Sequence, residues 1–140
     1  MNRFRAIAIV LAFALPACGA LADDLTGAGK LLCTSVQATS CAVDGDCEMD
    51  VPWNFNIPQF VEVDLVGKRL STTKASDENR QSPITTLTRA DGLIVLQGLE
   101  QGRAFSFVIN EKTGRLAAAV ARDGITVSVF GACTPMAAAK

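Results

Sequence analysis

The stretch Cys33-Thr-Ser-Val-Gln-Ala-Thr-Ser-Cys41-Ala-Val-Asp-Gly-Asp-Cys47 decides the fold, because it carries three of the five cysteines of this 140-residue chain. The other two are Cys18 and Cys133, and the chain contains no histidine. Zinc sites favour cysteine pairs spaced C-x2-C, often together with histidine, and thioredoxin-like redox motifs also need C-x-x-C. The spacings in this stretch are wider, so the cysteines are predicted to form disulfide bonds rather than a metal or redox centre.

The N-terminal residues predict export. Arg3 and Arg5 precede an apolar run from Ala6 to Leu15, and Ala20-Leu21-Ala22 stands before two aspartates. A basic start, a short apolar run and a small-residue cleavage site are typical of a secretory signal peptide, and spanning a membrane would take about 20 apolar residues. We therefore expect a periplasmic or secreted protein, cleaved near Ala22, with no integral membrane segment in the mature chain. The alternative is cleavage before Cys18, which would leave a lipid-modified cysteine.

The mature chain would keep four cysteines, an even number that indicates two disulfides in an oxidising compartment. The turn-forming pair Asp44-Gly45 would bring Cys41 opposite Cys47, within bridging distance. If the residues before Cys41 are extended, Cys33 lies too far from it to bridge, since eight steps of about 3.3 Å separate them. We predict the pairs Cys41–Cys47 and Cys33–Cys133, and the second pair would join the first strand to the end of the last.

Alternation of apolar and polar residues is the main pattern of the mature chain. Glycine-containing turns separate alternating segments at 61–65, 105–109 and 125–129 and an apolar run at 93–97, which is typical of antiparallel strands joined by hairpins. Leu116–Ala121 has helical propensity, but the glycines on either side leave room only for a strand. The polar segment Lys74–Ser82 is predicted to be a mobile loop. The expected fold is all-β, an antiparallel meander of about eight strands that forms a small barrel or half-open sheet stapled by disulfides.

The predicted organisation is a single domain with short flanking segments. These are a signal peptide over 1–22, an N-terminal linker over 23–30, the β domain over 31–135 and a C-terminal tail over 136–140. The mature chain is long enough to bury one core. The whole chain has 13 basic and 14 acidic residues and no cluster of Lys and Arg, so we expect no nucleic acid partner, which would require clustered positive charge.

An acidic series is the first candidate site. Carboxylates stand at every second position, at Asp44, Asp46, Glu48 and Asp50, so several could share one face of a strand and bind calcium. The segment lacks the glycine and the bidentate glutamate of an EF-hand loop. A solvated acidic hairpin is the favoured interpretation, and no metal is predicted.

The aromatic residues Trp53 and Phe55 are the second candidate site. They lie in the apolar, proline-bracketed segment Pro52–Pro58, which holds the only tryptophan. Aromatic side chains in such a loop either line a ligand site or cap one end of the core, and the second interpretation is favoured.

Composition excludes several kinds of catalysis. Without histidine the chain has no Ser-His-Asp or Cys-His arrangement and no histidine general base. Asp24 and Leu31 stand where a phosphate-binding loop around Gly29-Lys30 would need Gly and Ser/Thr. We predict a protein that is not an enzyme, with no catalytic residue and no cofactor.

A group of short motifs resembles a family of small exported bacterial proteins of uncharacterised function. The motifs are Leu31-Leu-Cys33, the Cys41…Asp-Gly-Asp-Cys47 hairpin, Phe60–Leu65, Thr113-Gly114 and Phe130-Gly-Ala-Cys133. The resemblance implies a disulfide-stapled β architecture and a periplasmic location, and it implies no activity.

Two functions are consistent with these features. The preferred one is a non-catalytic interaction module that binds a protein or envelope component through its loops. The alternative is a binder of a small apolar ligand inside a calycin-like barrel. The volume of the barrel interior separates them, because a meander of about eight strands either encloses a cavity or is filled by its own side chains.

Intact mass and N-terminal sequencing of the protein recovered from the periplasm test export. The mature chain should begin at Asp23, because the Ala20-Leu21-Ala22 site directs cleavage there. Recovery of a diacylated Cys18 with the outer membrane would contradict this prediction and establish an anchored protein.

Overall fold

The computed structural model describes residues 23–137; the predicted signal peptide, Cys18 and the last three residues lie outside this range. The described residues form nine strands and two short 3-10 helices, at Pro52–Phe55 and Lys74–Ser76. The strands are β1 Lys30–Ala42, β2 Cys47–Asp50, β3 Phe60–Asp64, β4 Arg69–Thr72, β5 Gln81–Ala90, β6 Leu93–Glu100, β7 Arg103–Asn110, β8 Arg115–Arg122 and β9 Ile125–Pro135. The predicted all-β class is confirmed. Within this range no helix is long or apolar enough to cross a membrane.

Eight of the strands close into an antiparallel barrel. From β3 to β9 each strand pairs with the next, and β1 pairs with β3 on one edge and with β9 on the other. The meander is therefore a closed barrel rather than a half-open sheet. The ninth strand, β2, folds back on the C-terminal half of β1 and stands outside the ring. At the closure a Cβ atom on Gly131 of β9 would collide with the carbonyl oxygen of Thr34, so the approach of the two strands requires glycine.

A β-bulge at Val36 changes which residues of β1 face the core. The register against β9 shifts between Ser35 and Gln37, so Val36 is an extra residue. Odd-numbered residues such as Leu31 are buried before the bulge, whereas Ala38 is buried after it. The change follows from geometry, because side chains alternate with a period of two and one inserted residue moves that alternation by one place.

The bulge sends the two cysteines of β1 to opposite faces of the sheet. Cys33 faces inward and forms a disulfide with Cys133 of β9, each being 1% exposed. Cys41 follows the bulge and pairs with the exposed Cys47 across the β1–β2 hairpin. Both disulfides join residues that lie directly opposite each other on neighbouring strands. The predicted connectivity is confirmed, with one bridge in the core and one on the surface.

The end of the barrel that carries the β5–β6 and β7–β8 turns is filled by side chains. Its fully buried residues include Leu25, Leu31, Val63, Ile94 and Ile109. Leu25 enters this end from the segment before β1, where its N–H donates to the carbonyl of Glu111 at 2.7 Å. The guanidinium of Arg89 donates to the carbonyl of Leu25 at 2.8 Å.

Residues 23–30 are thus part of the folded domain and not the linker that the sequence predicts. Lys30 already begins β1, and Leu25 closes the end of the barrel. One apolar residue in a polar segment has no periodic pattern, so composition alone gives no sign that it is buried.

Paired replacement of the cysteines tests how the two disulfides contribute. Replacing Cys33 and Cys133 with alanine should lower the free energy of unfolding by about 4.7 kcal/mol, because that bridge closes a loop of roughly 100 residues in the unfolded chain. Replacing Cys41 and Cys47 should lower it by about 2 kcal/mol, since the closed loop is short. Urea unfolding of the two variants measures both losses.

Equal losses would contradict this entropic ranking. Non-reducing peptide mapping is the accompanying control. A Cys33–Cys41 peptide in that map would contradict the pairing and the barrel closure together.

Candidate functional site

The other end of the barrel, where the β6–β7 and β8–β9 turns lie, encloses a cavity of about 70 Å³. Its walls are mainly apolar and include Phe105, Phe107, Leu116 and Val129. Phe105 and Phe107 meet edge to face, with ring centroids 5.7 Å apart. Ala118, which lies directly opposite Phe107 on β8, also lines the cavity. A small side chain at this position leaves space that a larger one would fill.

A second cavity of about 250 Å³ lies at the mouth of the barrel. Its walls come from the residues around Asn56 and from the adjoining ends of β1, β7, β8 and β9. Ile57, Arg103 and Val120 line both cavities, so the two spaces adjoin. Only these shared side chains therefore need to move to join the interior of the barrel to the cavity at its mouth.

Residues 52–58, which we call the mouth segment, cover this opening. Pro52 is buried, and Phe55 and Ile57 pack partly buried against the core. Asn56 ends the 3-10 helix in a left-handed conformation with φ of 57°. The two predicted aromatic residues therefore separate, because Phe55 lines the mouth cavity whereas the side chain of Trp53 is 51% exposed to solvent.

A charged cluster stands at the rim of the inner cavity. Arg80 binds the carboxylate of Glu100 through Nε and Nη2, at 2.9 and 2.8 Å, and Arg103 binds it at 3.0 Å. The side chains of Arg80, Glu100 and Arg103 are 19%, 18% and 12% exposed. Both guanidinium groups also donate to the carbonyl oxygen of Asn56, at 3.2 and 3.3 Å. The cluster therefore fastens the mouth segment to the barrel.

The structure places both ends of the segment Lys74–Ser82, predicted to be a mobile loop, in regular elements or contacts. Arg80 is held by Glu100, Gln81 and Ser82 belong to β5, and a 3-10 helix forms at Lys74–Ser76. Residues 74–79 are exposed, and the mobility of this part stays a prediction.

The protonation equilibria of the cluster follow from its contacts. The side-chain hydrogen bonds to Glu100 raise the pKa of Arg80, against the effect of burial. Burial raises the pKa of Glu100, but the hydrogen bonds and charges of Arg80 and Arg103 outweigh it, so the pKa of this carboxyl lies below its ordinary value. Arg80 and Glu100 therefore form a charged pair at neutral pH.

The acidic series stands on the β1–β2 hairpin, beside the β8–β9 turn at this end of the barrel, and forms no joint site. Asp44, Asp46 and Glu48 are exposed on the β1–β2 hairpin, where Asp44 accepts a hydrogen bond within its own turn. Asp50 accepts from the side chain of Asn54 and the N–H of Val51, and these two bonds lower its pKa. Among residues 23–137 no three acidic or cysteine side chains are grouped as a metal would require.

Sequence patterns point only in part to the charged cluster. Glu100 and Arg103 flank the Gln101-Gly102 turn and pair directly across the β6–β7 hairpin, so their contact follows from the hairpin that glycine indicates. Arg80 lies twenty residues away from Glu100 in the chain. Its position depends on how the β4–β5 connection crosses the mouth, and local pattern contains no signal for it.

No protein-family model matches this chain, and neither a curated protein nor a solved structure matches it. The function is consequently inferred from the geometry of the open end.

Replacement of Glu100 with glutamine tests the charged cluster. The variant should be about 2 kcal/mol less stable at neutral pH, because two guanidinium groups lose their anionic partner. This loss is smaller than that for a fully buried ion pair, since the cluster is partly exposed. The loss should shrink as the pH falls below 4.5, the ordinary pKa of a glutamate. The native pKa is lowered, so the unfolded state takes up the proton first and the stabilising effect of Glu100 disappears in acid.

Urea unfolding of both proteins between pH 3 and 7 measures this difference. The exposed Glu48→Gln on β2 is the matched control and should change stability by less than about 0.5 kcal/mol. A pH-independent difference between Glu100→Gln and the native chain would contradict the ion-pair description.

Proposed function

We propose that this protein is an exported, non-catalytic binding protein that takes up a small apolar ligand through the open end of its barrel. The observation that carries the proposal is the asymmetry of the interior. One end is packed with side chains, whereas the other holds an apolar cavity that adjoins a larger cavity at the mouth. Concave, mainly apolar spaces with a few convergent polar groups are the usual form of small-molecule sites.

The volumes limit the size of the ligand. The inner cavity of about 70 Å³ is smaller than an engineered cavity of about 150 Å³ that binds benzene. The mouth cavity of about 250 Å³ supplies most of the space, and the two together reach only the lower end of the range for ligand pockets, which starts at about 300 Å³. The body of the ligand would therefore occupy the mouth, and a short apolar end would reach between Phe105 and Val129.

The chemistry of the open end favours binding over catalysis. General bases work best with a pKa near the operating pH, which for a carboxylate requires a raised value. The pKa of Glu100 is lowered instead, and its oxygens are already engaged by two guanidinium groups. The chain contains no histidine that would take this role.

Export to the periplasm is part of the proposal. The basic and apolar N-terminus and the two disulfides support it, because disulfides persist in oxidising compartments. The resemblance to small exported bacterial proteins points the same way.

Binding of a protein or envelope component is a second candidate function. Apolar side chains are exposed around the β1 bulge on the outer face of the barrel, at Val36, Met49, Phe60 and Phe130. The strand registers place these side chains near one another. Phe60 lies opposite Thr34 and Phe130 lies opposite Gln37, and Thr34 and Gln37 stand on either side of the bulge in β1. Groups of exposed apolar residues often mark interaction surfaces.

Calorimetric titration with 1-octanol, an uncharged apolar probe, tests the preferred function. The native protein should bind it saturably at one site. Ala118→Leu should abolish binding, because the larger side chain fills the inner cavity, and it should change stability by less than about 1 kcal/mol since the space already exists.

Ala119→Leu is the matched control, because Ala119 is the next residue of β8 and is exposed. It should leave 1-octanol binding unchanged. Loss of binding in Ala119→Leu with retention in Ala118→Leu would move the site to the outer face, and no binding by the native protein would refute the proposal.

A further inference from the structure

Two guanidinium groups converge on one neutral oxygen at the mouth of the barrel. Arg80 and Arg103 each direct an Nη1 donor at the carbonyl oxygen of Asn56, at 3.2 and 3.3 Å. The same two side chains share the single carboxylate of Glu100. A carboxylate suits two guanidinium groups better than one backbone carbonyl does, because it carries a full negative charge and offers two oxygens for bidentate hydrogen bonds.

The charged residues that line the two cavities are mostly arginines. Arg122 lines the mouth cavity together with Arg103, whereas Glu100 is the only carboxylate among the described residues that line either cavity. Glu78 also contacts Arg80, at 3.5 Å, but its side chain is 45% exposed and stands outside the two cavities. The lining of the two cavities therefore carries the partly buried Arg80 and Arg103, the exposed Arg122 and one partly buried carboxylate. Asp50, which binds Asn54, and Asp123 in the β8–β9 turn lie nearby but line neither cavity. A partly buried site of this kind attracts an anion more strongly than an exposed one does, because the effective dielectric constant is lower.

We propose that the ligand is an amphiphile with a carboxylate group, whose oxygens replace the Asn56 carbonyl between Arg80 and Arg103. This inference rests on the proposed function and names the chemical class of its ligand. A short apolar end of such a molecule reaches the inner cavity, its body lies in the mouth cavity, and its carboxylate lies beside Arg103, which borders both spaces. The planar fork of a guanidinium group matches the two oxygens of a carboxylate.

In this proposal the exchange would also loosen the mouth segment. The mouth segment is held to the barrel by the Asn56 carbonyl and by the packing of Phe55 and Ile57. A carboxylate that takes over the two guanidinium groups removes the polar part of this attachment. Ligand entry and release of the segment are then one event, and cationic amphiphiles of equal length are rejected by the same positive charge.

Calorimetric titration with octanoate, 1-octanol and octylammonium at neutral pH tests the inference. Octanoate should bind at least tenfold more tightly than 1-octanol, and octylammonium should bind more weakly than either. Rising NaCl should weaken octanoate binding and leave 1-octanol binding within twofold, because salt screens only the charged ligand.

Arg103→Gln should weaken octanoate binding at least tenfold and should remove most of the preference for octanoate over 1-octanol. Arg103→Lys, which keeps the charge without the planar fork, should lie between the native protein and Arg103→Gln. The matched control is Arg115→Gln, because Arg115 is exposed at the opposite end of β8. It should leave all three affinities unchanged.

The results that would contradict these expectations separate the carboxylate inference from the proposed function. Equal binding of octanoate and 1-octanol overturns the carboxylate inference and leaves the proposed function in place. Failure of both probes to bind overturns the two together. If Arg103→Gln does not fold, a salt-independent octanoate affinity in the native protein overturns the inference without that variant.

Discussion

The pairing of β1 with β9 is the constraint on which the rest of the structure depends. It runs from Leu31–Pro135 to Ala42–Ile125 and converts a meander into a closed barrel. The Cys33–Cys133 disulfide crosses this seam inside the core, where both sulfurs are shielded from solvent. The other edge of β1 holds β3 along one half and β2 along the other. The barrel has a filled end and an open end only because this seam is closed.

Local pattern predicts much of this fold, because antiparallel strands repeat every two residues and their turns need glycine. The disulfide pairing also follows from the sequence, since an extended first strand separates Cys33 from Cys41. The bulge at Val36 does not follow, because it depends on how β9 lies against β1. Local pattern also does not predict the burial of Leu25 or the contact of Arg80 with Glu100. Both depend on residues that lie far away in the chain.

The candidate site could likewise be predicted from the sequence only in part. The aromatic segment around Phe55 has a recognisable composition, and the structure places it at the mouth, but only the fold shows that Trp53 faces away from the cavity. The acidic series from Asp44 to Asp50 is the more conspicuous pattern in the sequence, yet its residues lie mostly exposed on a hairpin outside the ring. The packed end of the barrel supplies stability, which permits the other end to keep a cavity even though an unfilled space in a core is destabilising.

Methyl NMR of the native protein during titration with octanoate tests most directly that the open end holds the ligand. Methyl resonances of the residues that line the inner cavity should shift with one saturating affinity; these are Leu70, Leu116, Val120 and Val129. Methyl resonances of the exposed Val36, Val43 and Leu99 should stay unchanged. The opposite pattern, with shifts at Val36 and none at the cavity residues, would contradict a binding site inside the barrel.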